Sequence, residues 1–319
     1  KPGVNFAPVF TALLGVLDEA ARGLLLQKLQ DRVPTTARDQ AKWFEPYLEK
    51  VDSRMHRHYT ELARNLRKTL VYQTGVSPLG LLRNCYDYAL NDSTVLTGVF
   101  DAVRIEFRQP GARSVFEAVR SVNEFRNTRV AHQEKPLTDA VEAKAQLQTW
   151  VEALTKLWIE HSDAHYAKRC SVSVESITPK EHAANTFEIV IAGRLVDINL
   201  GPPGKLPTEF AKRIGDEIVR QVKPVVDFRF GANRFTVACL DLRAGSLDYT
   251  VIATVVGTTY LFVKDYDKLR ANATVLAADI QRVSGRIKRA VDGLLDDSVN
   301  SGHKQSAVTP EDRPAKGSG

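Results

Sequence analysis

Arg126, Asn127 and His132 are the residues of this chain whose types and spacing could do chemistry together. They lie in the segment Glu124-Phe125-Arg126-Asn127-Thr128-Arg129-Val130-Ala131-His132-Gln133, a polar interruption in a strongly helical pattern. A guanidinium is a permanent cation with a planar fork of donors that suits phosphate. An imidazole titrates near neutrality and can take or give a proton. Together they can bind a phosphodiester, stabilise the charge that develops on it and move a proton without a metal. A plainer reading makes them structural, with His132 as a capping or hydrogen-bonding residue and Arg126 as the ion-pair partner of Glu124, Glu134 or Asp139.

The elements that must position this trio are helical. Residues 112–126 read as a helix with Val115, Phe116, Val119 and Val122 inward. Residues 137–161, led by Pro136, read as the next, with Leu147, Val151, Leu154 and Trp158 inward. Arg126 is then expected at the end of one helix and His132 in the connection to the next, so the two converge only if the backbone turns between them. Upstream, residues 6–29 predict a long amphipathic helix with Val9, Leu13, Val16, Leu17, Ala20 and Leu24 at helical spacing. Asp52-Ser53 offers an N-cap for a helix to about residue 73, closed by Gly75 and Pro78. On it Arg57, Arg64 and Lys68 form a mostly basic stripe. Alone such a stripe is a solvated face; beside a phosphate site it positions a polyanion. Residues 77–90 and 93–107 predict shorter helices, and Gln109-Pro110-Gly111 a turn.

After His165-Tyr166 the texture changes. Residues 170–177 and 186–192 alternate as strands do, through Val172, Val174 and Ile177 and through Phe187, Ile189 and Ile191. Residues 195–200 are expected to continue the sheet into the rigid turn Gly201-Pro202-Pro203-Gly204. A helix over 208–222 is expected to stop at Pro224, and 234–242 predicts another strand. The most apolar run, 249–263, is shorter than the roughly 20 residues a bilayer span needs. It reads as a buried strand, or as a strand passing into a helix near Gly257. Residues 273–295 place Leu276, Ile280, Val283, Ile287, Ala290 and Leu294 on one helical face, with Arg282, Arg286 and Arg289 off it. The predicted organisation is an all-α bundle over 1–168, a smaller α+β domain with a long C-terminal amphipathic helix over 169–296, and a disordered tail over 297–319.

Composition bounds the function. A chain of 319 residues with 43% hydrophobic and 26% charged content is that of an ordinary globular protein of two domains. The net charge of +6 favours polyanions. It is shared evenly, with 23 basic against 20 acidic residues up to Lys168 and 21 against 18 after it, so a nucleic-acid surface must come from local clustering. Three widely separated cysteines, Cys85, Cys170 and Cys239, point to a reducing compartment, and we expect a cytoplasmic protein. The chain begins Lys1-Pro2-Gly3 and its one methionine is Met55, so we expect a piece of a longer polypeptide. No phosphate loop of the GxxxxGK[ST] kind and no GxSxG elbow occurs, and no cysteine has a protease-like histidine setting. His56 and His58 diverge on a helix, and His161 and His165 lack a third ligand nearby in sequence. We therefore expect neither a metal nor a cofactor.

Arg126-Asn127, four spacer residues and His132 resemble the motif of the HEPN superfamily, and the helices around it, over about residues 6–165, resemble that family's bundle. The wider wording from Phe125 to Asp139 resembles C-terminal regions of helicase-like proteins of bacterial defence and restriction loci. The resemblance implies a metal-independent endoribonuclease or RNA-binding domain in antiviral defence. Arg126 would stabilise the scissile phosphate, His132 would serve the 2′-hydroxyl attack or protonate the leaving group, and Asn127 would orient the site. It implies a homodimer in which two motifs face each other, RNA more than DNA as target, and a helicase or other defence subunit as a further partner; from the shortness of the 249–263 run we do not expect a membrane partner. Arg57, Arg64, Lys68 and Arg129 would contact the nucleic acid. The other reading of the same resemblance is a non-catalytic nucleic-acid-binding or dimerisation module forming the C-terminal part of a larger helicase-like protein.

Overall fold

The computed structural model describes residues 4–45, 53–74, 77–94, 96–130, 137–179, 186–198, 208–230, 235–243, 247–256 and 266–305. The chain is mostly helical with one small antiparallel sheet. It divides into two compact units between His165 and Tyr166.

The first unit is all helix: α1 (Ala7–Leu29), α2 (Ala37–Phe44), α3 (Ser53–Leu70), α4 (Pro78–Asn91), α5 (Val99–Phe107), α6 (Ala112–Phe125), and α7, which runs Ala140–Ala167 across the division. A wide π turn, Arg126–Val130, continues α6. Its core joins Phe10, Leu17 and Leu24 of α1 to Tyr59 and Leu66 of α3, Leu82 and Tyr86 of α4, Val119 and Val122 of α6, and Trp150 and Leu157 of α7. Helix starts follow capping chemistry. Thr36 Oγ1 accepts from Asp39 N (3.1 Å) to begin α2, and Ser77 with Pro78 behind it begins α4. Gly98 precedes α5 with φ 68°, and a Cβ there would stand 2.4 Å from the Trp43 carbonyl oxygen, so conformation and space both require glycine.

The predicted inward face of α7 is turned by one residue, and that of α1 holds at Leu17 and Leu24 but not at Val9 and Val16. In α1 the buried stripe is Phe10, Leu17, Leu24, whereas Val9 and Val16 are half exposed. In α7 Trp150, Ala153 and Leu157 are buried, while Leu147, Val151 and Trp158 are 37, 50 and 66% exposed. Both helices carry two adjacent apolar stripes, and periodicity alone cannot choose between them. The aromatic core chooses: Trp150 meets Phe10 edge-on at 5.0 Å and Phe125 at 6.2 Å.

The second unit runs β1 (Ser171–Pro179), β2 (Thr186–Leu195), α8 (Thr208–Phe230), β3 (Phe235–Arg243), β4 (Leu247–Val256), α9 (Tyr266–Arg282) and α10 (Ser284–Gln305). The sheet order is β1-β2-β4-β3, antiparallel throughout. The central pair keeps an unbroken register from Thr186 opposite Val256 to Leu195 opposite Leu247. Each outer strand holds one extra residue, Glu175 between Val174 and Ser176 and Leu240 between Cys239 and Asp241. One sheet face, with Ile189, Ile191, Tyr249 and Val251, packs with Ile214, Ile218 and Val222 of α8, Leu276 and Ile280 of α9 and Ile287 of α10.

The structure departs from four of these expectations. Pro224 does not end its helix: α8 continues to Phe230, with Val222, Val225 and Val226 buried, and this apolar anchoring offsets the backbone bond proline removes. The single helix over 273–295 is two helices broken at Val283, where Ser284 is fully buried and donates to the Ile280 carbonyl (3.5 Å). Helix α10 reaches Gln305, inside the segment expected to be disordered from 297. Strand β2 ends at Leu195; the turn Gly201–Gly204 and the continuation of the apolar run beyond Val256 lie outside the described residues. Among the described residues no helix is long and apolar enough to cross a membrane.

Candidate functional site

Helix α6 carries Asn123, Arg126 and Asn127 at positions i, i+3 and i+4, which share a face. The face meets the start of α4. Ser77 occupies the N-cap of α4, and its Oγ accepts from Gly80 N (3.4 Å) and from Arg126 Nη1 (3.0 Å). The Ser77 hydroxyl donates to Asp18 Oδ1 (3.1 Å) on α1, which also accepts from Leu79 N (3.0 Å). One hydroxyl thus uses its single proton on Asp18 and its lone pairs on Arg126 and the α4 backbone. Asp18 answers the positive end of α4.

The result is that Arg126 is aimed by a neutral oxygen. It makes no ion pair among the described residues. The carboxylates proposed as partners are engaged elsewhere: Glu124 holds Arg120 at 2.8 Å, and Asp139 caps α7 through Val141 N and Glu142 N. Glu134 lies outside the described residues. The Arg126 Nε is buried and has no hydrogen-bond partner among the described residues. A half-buried guanidinium with unfilled donors in this setting is suited to an anion.

Arg126 and Asn127 line one cleft of about 260 Å³ with Asn65 of α3, Ser77, and Gly80, Leu81, Arg83 and Asn84 of α4, and Asn123. Asn65, Arg83, Asn84 and Asn123 were not singled out from the sequence. Asn123 carried a signal: it falls four residues after Val119 and seven after Phe116, an amide on an apolar face. The other three occupy ordinary polar positions on their helices, and only the fold shows that they converge. Burial pushes the thiol of Cys85, next to Asn84, upward and keeps it protonated and inert.

His132 lies outside the described residues. Arg57, Arg64 and Lys68 are exposed on α3 and make no ion pair among the described residues, and Lys68 stands three residues from Asn65 of the cleft. Arg129 is placed differently. Its Nη2 donates to both carboxylate oxygens of Glu142 (2.9 and 3.0 Å), so its charge is met and it ties the π turn to α7. Among the described residues no group of three or more His, Cys, Asp or Glu could hold a metal ion. No family model matches this chain, and neither the curated proteins nor the solved structures contain a match to it.

Proposed function

We propose that the chain is a metal-independent endoribonuclease of the HEPN type, its first unit a HEPN-like bundle, acting as a homodimer in the cytoplasm within a bacterial antiviral defence system. The observation that supports this reading is the convergence of Arg126 and Asn127 on one polar cleft, with Arg126 held by the neutral Ser77 hydroxyl and so left with its charge for a ligand. In the proposed reaction the 2′-oxygen bonds to phosphorus as the bond from phosphorus to the 5′-oxygen breaks. Arg126 neutralises the charge that builds on the non-bridging oxygens. His132 takes the proton of the 2′-hydroxyl or delivers one to the leaving 5′-oxygen, and Asn127 orients the phosphate. Arg57, Arg64 and Lys68 hold the strand through its phosphates.

The test is cleavage of single-stranded RNA by the purified chain in EDTA. Arg126→Ala and His132→Ala are each expected to lower the rate by at least about a hundredfold, the usual loss when a transition-state donor is removed. Full cleavage by both variants removes the motif from the mechanism. A second reading is favoured by the exposed apolar stripe Leu147, Val151 and Trp158 on α7. It makes the chain a non-catalytic nucleic-acid-binding or dimerisation module, the C-terminal part of a larger helicase-like defence protein. Salt-sensitive RNA binding with no turnover in the same assay selects it.

A further inference from the structure

We propose that Arg83 is a second phosphate-binding residue of the cleft and forms, with Arg126, a two-arginine clamp on one phosphate group. The identity of that phosphate as RNA rests on the reading above. Arg83 stands on α4 one turn beyond Gly80 and two beyond the N-cap Ser77, which puts it on the face that lines the cleft with Arg126 of α6. It is half-buried and makes no hydrogen bond or ion pair among the described residues. The acid one turn further along the same helix, Asp87, accepts instead from Asn91 Nδ2 (2.7 Å). Among the described residues no carboxylate lines the cleft. Two half-buried guanidiniums therefore share one cleft with no counter-charge among its lining residues, and Arg126 is aimed by the neutral Ser77 hydroxyl. Like charges placed so repel each other; an anion between them turns that repulsion into two attractions and fills both forks of donors.

The size and the remaining lining suit a single phosphate. At about 260 Å³ the cleft falls below the roughly 300–1,000 Å³ of small-molecule sites, so it takes one phosphate and its immediate substituents. The side-chain amides of Asn65, Asn84 and Asn127 line it, make no hydrogen bond among the described residues, and bring further N–H donors to phosphate oxygens. Two cations also match the chemistry better than one. A phosphodiester carries one negative charge. When the deprotonated 2′-oxygen bonds to phosphorus its charge passes to the non-bridging oxygens, which share two charges until the 5′-oxygen leaves with the bonding pair and takes up a proton. Arg126 answers the charge present from the start, and Arg83 the one that arrives with the nucleophile. The clamp thus holds the transition state more tightly than the resting diester, which is what acceleration requires.

The experiment is calorimetric titration of the full chain, at low salt in EDTA, with inorganic sulfate as a dianion and dimethyl phosphate as a monoanionic diester. One sulfate per chain is expected, bound on the order of tenfold tighter than dimethyl phosphate, the worth of one further charge-assisted contact. Arg83→Gln keeps the stem and removes the charge. It is expected to weaken sulfate about tenfold and to narrow the preference over dimethyl phosphate, and Arg126→Gln is expected to weaken the same single binding event. Should Arg83→Gln fail to fold, Arg83→Met carries the same expectation. Sulfate affinity unchanged by the Arg83 variant that folds, no saturable sulfate binding, or two sulfates per chain with each arginine controlling one of them overturns the clamp. Because no turnover is measured, the two ideas fail separately. Sulfate held by both arginines with no RNA cleavage leaves the clamp standing and removes its assignment to RNA; cleavage with sulfate binding indifferent to Arg83 removes the clamp alone.

Discussion

A buried ammonium is stable only where something of opposite sign is buried with it. Lys28 of α1 is 7% exposed in its side chain and Glu160 of α7 10%, and Nζ lies 2.8 Å from Oε1. Lys28 also donates to the Glu106 carbonyl (3.1 Å) and stands over the Phe107 ring. Glu160→Gln strands the ammonium and is expected to cost about 3–5 kcal/mol in urea denaturation, whereas Lys28→Met with Glu160→Leu should cost clearly less than the two single changes summed. Additive losses would mean that the pair does not act as a unit. Neither this pair nor Asp18–Ser77–Arg126 was legible in the sequence, since each joins residues more than forty positions apart and depends on how helices pack. Arg126 and Asn127 were singled out by their spacing to His132, and the fold brings those two to one cleft. Asn123 could have been found by asking which polar residue breaks an apolar stripe.

At the level of elements, spacing carried more than its plain reading. Val172, Val174 and Ile177 all pack toward the core of the second unit although the last step is three residues, and only the extra Glu175 lets that parity hold. Val237 and Leu242 repeat the pattern across Leu240. A step of three inside an alternating run is therefore a readable sign of an inserted residue. The helix face of α7 was not readable and that of α1 only in part, at Leu17 and Leu24, because two apolar stripes lie side by side on each. Gly193 sits in unbroken β2, and a Cβ there would fall 2.2 Å from the Tyr249 ring that crosses it. Gly193→Ala is expected to lower stability by about 1–3 kcal/mol, as overpacking does, and Tyr249→Leu in the same chain should recover part of the loss. An unchanged melting temperature in Gly193→Ala would show that the ring is not confined there.

Across the whole molecule the two units have separate cores, and the division near residue 165 was visible as a change from helical to alternating texture. Separate cores allow separate responses to conditions. His161 on α7 has its pKa lowered, first by burial and then by the charge of neighbouring His165, so the folded first unit prefers the neutral ring. The stability this contributes is present above the unfolded value of about 6.5 and is lost as pH falls through the lowered folded value. The first unit's melting temperature should therefore drop between pH 7 and pH 5, and by less in His161→Gln; identical pH profiles would remove His161 as a cause. Molecules also meet one another, and the extra residues of β1 and β3 bear on that encounter. Among the described residues those strands are the two borders of the sheet, and each border is interrupted, on one side with the exposed charge of Glu175 at the interruption. A second copy arriving edge to edge finds no straight ladder of backbone donors and acceptors to extend, so the sheet resists growing into a fibre from either side.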